Sequence, residues 1–334
     1  MKYHSIDRRR ALGLIAGSAL LPTAARAQPD GWKPTQSLTY NIGVAAGGSV
    51  DLYARGIKAG LESLGLLNGQ SMLPENRPGA AGLLSLQQLQ RNTGNAHHLG
   101  TFHTGSIAGQ ITGILKADMR LFTPVAMLVE ETTLVAVRGD SPLHSGKDLV
   151  EALRRDPTAL KIAVAPLRGL NIHLAIVKPL KAAGVDVARL TIAPFRSSGE
   201  SMTALLGGHV DVVSATGPTV VPMVQGGKVR MIASAAPVRG SGPLAGVATW
   251  REQGVAADYV SYNGVLLPPG VNADQIRYWE NALRKVSESP EWIALVEKSG
   301  NKPLFKGYVD SHRYLQSEFS ATQALVAQLG QDAK

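Results

Sequence analysis

Four short segments of the sequence combine glycine with hydroxyl-bearing residues, each between a strand-like and a helix-like stretch. They are residues 45–51, 101–106, 165–171 and 194–198. The first amide hydrogens of a helix lack intrahelical acceptors, and the helix dipole adds partial positive charge there, so each segment could hold a carboxylate without a lysine. Singly, each also fits an ordinary turn. Because all four follow strands, we expect them to share one cleft.

The common catalytic and metal-binding signatures are missing from the sequence. It has no Cys, no phosphate-binding or dinucleotide-binding glycine loop, no Gly-x-Ser-x-Gly and no His-Glu-x-x-His. The histidines are densest at His97, His98 and His103, but neighbours on a strand point to opposite faces, which disfavours a shared metal ion. We therefore expect no enzyme activity, no cofactor and no metal site.

Part of the positive charge lies at the N-terminus. The chain has 334 residues, is 44% apolar and 18% charged, and has a formal charge of +9. Residues 1–27 hold five of the basic residues, and the rest of the chain has 29 basic and 24 acidic residues. This balance predicts no nucleic-acid partner. The length and apolar content predict two globular domains.

Residues 1–27 have the order of an export signal. Three arginines at positions 8–10 precede an apolar run at residues 11–21 and a small-residue site ending at Ala27. The run is about half the roughly 20 residues that span a membrane. The arginines resemble a twin-arginine signal. We expect a periplasmic protein whose signal peptide is removed near Ala27.

The remaining chain alternates short apolar runs with helical patterns, which predicts an α/β fold with parallel strands. The longest extended segment, residues 125–137, is long enough to leave one sheet and enter another. The last 60 residues are predicted to be helical, with Trp279, Leu283 and Val286 on one buried face. We predict one domain from residues 37–134 and 259–334, and a second from residues 135–258.

Five motifs resemble a known family in their order and spacing. They are residues 44–51 (VAAGGSVD), 75–82 (ENRPGAAG), 122–126 (FTPVA), 195–199 (FRSSG) and 205–212 (LLGGHVDV). These segments are similar to the substrate-binding proteins of tripartite tricarboxylate transporters, the Bug family. The resemblance implies a type II periplasmic binding fold, with two doubly wound α/β domains joined by crossing strands around a ligand cleft. It also implies a small organic carboxylate as ligand and a two-subunit membrane permease as partner of a monomeric receptor.

The family's contact positions, together with three aromatic walls, give a candidate site. The candidate ligand-binding residues are Ala45, Ala46, Gly47, Gly48, Ser49, Asp51, Thr101, Phe102, His103, Thr104, Ala165, Leu167, Arg168, Gly169, Phe195, Arg196, Ser197, Thr216 and Tyr262. This sequence departs from the family at Ala46 (usually Pro), at Leu167 and Leu170 (usually Gly and a small hydroxyl residue), at Arg168 (usually neutral) and at Phe195–Arg196 (usually Tyr–Lys). Asp51 fits either helix-dipole compensation or ligand contact.

Arg168 and Arg196 are the two candidate cations. We hypothesise that one of them forms a charge-assisted contact with a second acidic group of the ligand, while Phe102, Phe195 and Tyr262 form apolar walls. The alternative is that both guanidinium groups lie at the rim and steer anions into the cleft.

Three functions remain open at this point. The leading one is a solute receptor that closes over its ligand and delivers it to a permease. The others are a sensory receptor that docks on a membrane kinase, and an exported enzyme that uses the same cleft.

Overall fold

The computed structural model describes Met1, residues 31–224 and residues 226–329. The predicted twin-arginine-like signal and its cleavage near Ala27 therefore lie outside the described residues, apart from Met1. No helix within the described part of the chain is long and apolar enough to cross a membrane.

The described residues form ten strands and ten α-helices. The strands are β1 Leu38–Ile42, β2 Met72–Asn76, β3 His98–His103, β4 Thr123–Arg138, β5 Lys161–Val164, β6 Thr191–Pro194, β7 Val212–Thr216, β8 Val229–Ser234, β9 Val260–Leu267 and β10 Lys302–Lys306. The helices are α1 Ser49–Ser63, α2 Leu83–Arg91, α3 Thr104–Ile111, α4 Gly146–Arg155, α5 Asn171–Ala182, α6 Ser198–Leu206, α7 Gly217–Val224, α8 Ala273–Ser287, α9 Pro290–Lys298 and α10 Tyr308–Leu329.

The strands pair in the order β2-β1-β3-β9-β4-β7-β5-β6, with β8 and β10 each paired to β4. Towards the two ends the pairs are parallel, as in β1 with β2 and β3, and β5 with β6 and β7. In the middle, β9 runs antiparallel to β3 and β4, and β4 runs antiparallel to β7. The predicted α/β class is confirmed, and β4 and β9, which connect the two ends of the sheet, run antiparallel to their neighbours.

β4 links the two halves of this sheet. Up to Thr132 it pairs with β9, and from Thr133 onward it pairs with β7 and β8. Beyond that point its side chains alternate between two cores, one beneath α4 and α5 and the other beneath α6 and α7. The strand is buried on both faces and is apolar on either side of its four polar residues 130–133, which is why residues 125–137 were recognisable as a long extended segment. The long strand is confirmed, whereas the division into two domains stays a prediction.

Two strands were not predicted from the sequence. The expectation that the last 60 residues are helical is wrong at β10, and β2 was not predicted. Each contains a proline, Pro74 in β2 and Pro303 in β10. Each lies at an edge, where a missing amide hydrogen is tolerated. The predicted stripe of α8 is confirmed, because Trp279, Leu283 and Val286 are fully buried.

The last helix contacts both halves of the fold. Leu315 of α10 belongs to the core around Phe102, Met127 and Leu266 in the first half. Towards its C-terminal end, Leu325 and Val326 pack against the core beneath α4 and α5. α10 therefore spans the region in which β4 and β9 connect the two halves.

Candidate functional site

Each of the four predicted segments lies where a strand passes into a helix. We call these the four junctions: residues 43–48 between β1 and α1, residues 103–104 between β3 and α3, residues 165–170 between β5 and α5, and residues 195–197 between β6 and α6. All four are at carboxyl ends of strands, the edge at which open α/β sheets bind ligands.

Direct contacts join the junctions into one continuous line. The Gly43 amide donates to the Thr101 hydroxyl at 3.2 Å, which connects the first junction to β3. At the start of α3, a Cβ on Gly105 would lie 2.5 Å from Oδ1 of Asn171, the first residue of α5. The Phe195 amide donates to the Val164 carbonyl at 2.9 Å, which connects the third and fourth junctions. The four segments are thus adjacent rather than scattered over the surface.

Three of the four junction helices begin without a side-chain cap. The N-cap residues of α1, α3 and α5 are Gly48, His103 and Leu170, and none of their side chains accepts an amide hydrogen bond. In contrast, α4, α8 and α9 start with Ser145, Asn272 and Ser289, whose side chains all accept one, whereas α2 starts uncapped after Gly82. At α6 the Ser197 hydroxyl also serves as a cap. The amide donors that α1, α3 and α5 leave uncapped face the junctions, where an anion can use them.

Asp51 holds the loop of the first junction through hydrogen bonds within the protein. Its carboxylate accepts from the Gly47 amide at 3.0 Å, from Asn76 at 2.9 Å and from the Arg55 guanidinium at 3.0 Å. Burial alone would raise the pKa of Asp51, but these hydrogen bonds outweigh it and lower the pKa. Gly47 has φ +91°, a conformation that favours glycine. The carboxylate therefore shapes the loop, whereas Ala45, Ala46 and Gly47 are exposed and Gly48 and Ser49 are half-buried.

The second junction is held by hydrogen bonds from β9 and α10. The Thr104 hydroxyl accepts from the Tyr262 amide at 2.9 Å and shares a hydrogen bond of 3.0 Å with the Tyr314 hydroxyl. Burial lowers the pKa of His103 to about 4, so its imidazole is neutral at physiological pH. Its Nε2 lies 3.1 Å from the Ser106 hydroxyl. The ring of Phe102 packs in the core of the first half rather than beside the junctions.

At the third junction, Arg168 turns towards the protein. Its guanidinium donates to the Ile192 carbonyl at 2.8 Å. The Gly169 amide donates to Nδ1 of His173 at 3.0 Å, and burial lowers the pKa of His173 to about 4. Ala165 is buried, while the side chain of Leu167 is exposed.

Around the fourth junction, Arg196 extends into solvent. Its side chain is 91% exposed and pairs with Glu200 at 2.9 Å, a position that fits rim steering. Phe195 is half-buried against the core beneath α6. Thr216 is buried at the end of β7, opposite Thr133 of β4. The half-buried ring of Tyr262 packs edge-on against Tyr314, with ring centroids 4.7 Å apart.

A family model described as the tripartite tricarboxylate transporter family receptor matches residues 54–331. The chain belongs to this family. A protein of Cupriavidus necator described as "UPF0065 protein in gbd 5'region" is 26% identical over 98% of this chain and 97% of its own length. The receptor family predicted from the five motifs is thereby confirmed.

Solved structures share the fold of this receptor. The periplasmic binding protein BugD superposes with a TM-score of 0.78 at 22% identity, covering 89% of this chain and 98% of its own. The Rhodopseudomonas palustris protein Rpa4515, solved with adipate, gives a TM-score of 0.79 at 24% identity, covering 89% and 98%. The predicted periplasmic binding protein fold is confirmed.

One buried polar cluster of the receptor was missed by the sequence analysis. Glu131 of β4 is 3% exposed, and its Oε2 accepts from the side-chain amide of Asn263 on β9 at 3.1 Å. Beside them, Asn171 of α5 donates to the Ser261 hydroxyl of β9 at 3.3 Å. The sequence signal for this cluster was a carboxylate inside the longest extended segment. Burial of an ionised side chain is costly unless the charge is paired or hydrogen-bonded.

Proposed function

We propose that this receptor binds a small organic carboxylate at the four junctions and delivers it to a two-subunit membrane permease. The observation that carries the proposal is the contrast in helix capping. Three helices that start at the junctions leave their first amides uncapped, whereas α4, α8 and α9 are capped by their own side chains. The adipate bound to the Rpa4515 protein of the same fold supports a carboxylate as the ligand class.

The proposed motion is a closure of two domains about the crossing strands. Residues 37–134 with residues 259–334 form one domain in this proposal, and residues 135–258 form the other. The change of partners along β4 at Thr132 and Thr133 supports a hinge there. The receptor would act as a monomer in the periplasm after loss of residues 1–27. A permease would recognise its closed, liganded form.

An enzyme in the same cleft has one observation in its favour. The hydroxyl of Ser106 and Nε2 of His103 form a hydrogen bond of 3.1 Å, as a nucleophile and its base would. However, burial lowers the pKa of His103 to about 4, which makes the imidazole a poor base near neutral pH. No described side chain orients the ring through Nδ1. We therefore favour a receptor without catalytic activity.

The test is a thermal-shift screen of the protein after unfolding and refolding, which removes retained ligand. Mono-, di- and tricarboxylates and aromatic acids are compared. An acid at 100 times its dissociation constant should stabilise the native state by about 2.7 kcal/mol. If no acid raises the melting temperature, the proposal is wrong.

Delivery is tested separately in cells that contain or lack this chain. Uptake of the stabilising acid should depend on the receptor. Unchanged uptake accompanied by a changed transcriptional response to the acid would instead support a sensor that docks on a membrane kinase.

A further inference from the structure

The carboxyl group of Glu131 is linked through its neighbours to the starts of three junction helices. Glu131 stands opposite Ser261 on β9, next to the place where β4 changes its pairing partners. The Ser261 hydroxyl accepts a hydrogen bond from Asn171, the first residue of α5 after the third junction. Asn263, which donates to Glu131, stands opposite His103 at the second junction. From the start of α1, the Ser49 hydroxyl lies close enough to the carboxyl group to lower the pKa of Glu131.

Glu131 and its neighbour Asn263 have more hydrogen-bond acceptors than the surrounding groups satisfy. Asn263 uses its amide hydrogen on Oε2 of Glu131, while Oε1 of Glu131 and Oδ1 of Asn263 are buried without a hydrogen-bond partner within the described residues. Buried polar atoms are nearly always hydrogen-bonded. Two neighbouring side chains with unsatisfied acceptors call for a group that donates hydrogen bonds.

No cation of the described part of the chain pairs with Glu131. It forms no ion pair there with an arginine, lysine or histidine. A buried carboxylate without a partner is costly, since removing a charge from water is repaid only by a close opposite charge. The first half of the fold therefore contains an acid whose counter-charge is not supplied by the residues around it.

We infer that Glu131 is a specificity-determining residue that receives the ammonium group of an amino-substituted acid bound at the junctions. The inference rests on the proposed function and refines its ligand class. Ser49 both opens α1 and interacts with Glu131. A carboxylate on the first amides of α1 and a donor on Glu131 would thus be close neighbours, as the two groups of an α-amino acid are.

The protonation behaviour of Glu131 gives the inference a pH signature. Burial raises the pKa of Glu131 to about 7, partly offset by Ser49 and Asn263. Among the neighbouring titratable groups, Tyr53 of α1 has a pKa raised by burial and by Glu131. His103 of β3, opposite Asn263, has a pKa lowered to about 4 by burial. Both are uncharged between pH 6 and 8.5, so Glu131 is the group that changes charge there.

The two ligand classes should respond to pH in opposite directions. An ammonium-bearing acid is attracted by ionised Glu131, so its affinity should rise from pH 6 to pH 8.5. An unsubstituted acid is repelled by the same charge, so its affinity should fall over that interval. The opposite signs separate an ammonium site from a carboxyl group that is only buried.

The experiment is calorimetric titration of the refolded protein with matched pairs of acids. The pairs are aspartate and succinate, glutamate and glutarate, and 2-aminoadipate and adipate. At pH 8.5 we expect the amino member of the best-bound pair to bind at least tenfold more tightly. In Glu131→Gln this ratio should fall to within twofold, because a neutral amide no longer attracts the ammonium group.

Glu130→Gln is the matched control. Glu130 precedes Glu131 on the same strand, so its side chain points to the opposite face. The preference should be unchanged in this variant. If Glu131→Gln does not fold, the opposite pH trends of the wild-type protein provide the test on their own.

The outcomes separate the two proposals. Binding of unsubstituted acids with no preference for the amino member, or a preference that survives Glu131→Gln, overturns the role of Glu131 and leaves the carboxylate receptor intact. If no acid of either kind binds at any pH, the proposed function is overturned together with this inference.

Discussion

Replacement of Ser49 by proline tests the helix-start site directly. Ser49 follows the N-cap Gly48 as the first residue of α1, and its amide has no side-chain cap. Proline is tolerated at this position, and Gly48 has ψ 174°, an extended conformation compatible with a following proline. Ser49→Pro therefore removes one amide donor and leaves the helix in place.

The expected loss follows from the kind of bond removed. A hydrogen bond to a charged group contributes about 1.5–3 kcal/mol, so the dissociation constant of the carboxylate should rise about 10- to 150-fold. The assay is calorimetric titration with the acid that gives the largest thermal shift. Ser49→Ala, measured in parallel, isolates the contribution of the hydroxyl group.

Ala273→Pro is the matched control at a helix start away from the junctions. Ala273 is the exposed first residue of α8, which Asn272 caps. This variant should bind the acid as the wild-type protein does. If Ser49→Pro binds as tightly as Ala273→Pro, the start of α1 does not hold the ligand and the reasoning from capping fails.

Three further predictions follow from side chains at the junctions. Asp51→Ala should lower the free energy of unfolding in urea by about 1–3 kcal/mol, because three hydrogen bonds to a buried carboxylate are lost; a change below 0.5 kcal/mol, roughly the size of an ordinary surface effect, would contradict this. Burial lowers the pKa of His103 and of His173 to about 4 in the folded protein, against about 6.5 in the unfolded chain. Below pH 6.5 the unfolded state therefore binds more protons, and the free energy of unfolding should fall towards pH 4 by about 1.4 kcal/mol per pH unit for each histidine. His173→Gln should remove one of these two contributions, and an unchanged pH dependence would refute the assignment. Arg196→Ala should leave the affinity at high salt within about twofold and lower the association rate at low salt, since exposed charges act mainly on encounter; a large loss at high salt would instead place the guanidinium on the ligand.

The sequence was most informative where one physical requirement decides the residue type. A strand buried on both faces is mostly apolar, and β4 was recognisable from the apolar residues on either side of residues 130–133. The junctions were recognisable because glycine and hydroxyl residues between a strand and a helix suit an exposed helix start. Edge strands tolerate proline, which argues against a strand elsewhere in a sheet. The strands β2 and β10 contain Pro74 and Pro303 and were therefore not predicted.

The roles of individual site residues depended on contacts between distant segments. Sequence spacing left two roles open for Asp51, and its bond to Asn76, 25 positions away, is what ties it to the loop. Phe102 is apolar in either setting, and its packing with Met127, Leu266 and Leu315 shows that its ring belongs to the core. The surroundings of Glu131 come from α1 and β9, which no local pattern brings together.

The uncapped helix starts imply a link between stability and ligand binding. A missing N-cap costs about 1 kcal/mol, so α1, α3 and α5 together leave the receptor about 3 kcal/mol less stable than capped helices would. The unpaired acceptors of Glu131 and Asn263 add to this deficit. All of these groups lie at or beside the junctions, whereas α4, α8 and α9 are capped. A ligand that supplies acceptors to the helix starts and donors to Glu131 would satisfy both sets together, and stabilisation of the receptor is then a direct measure of how completely it does so.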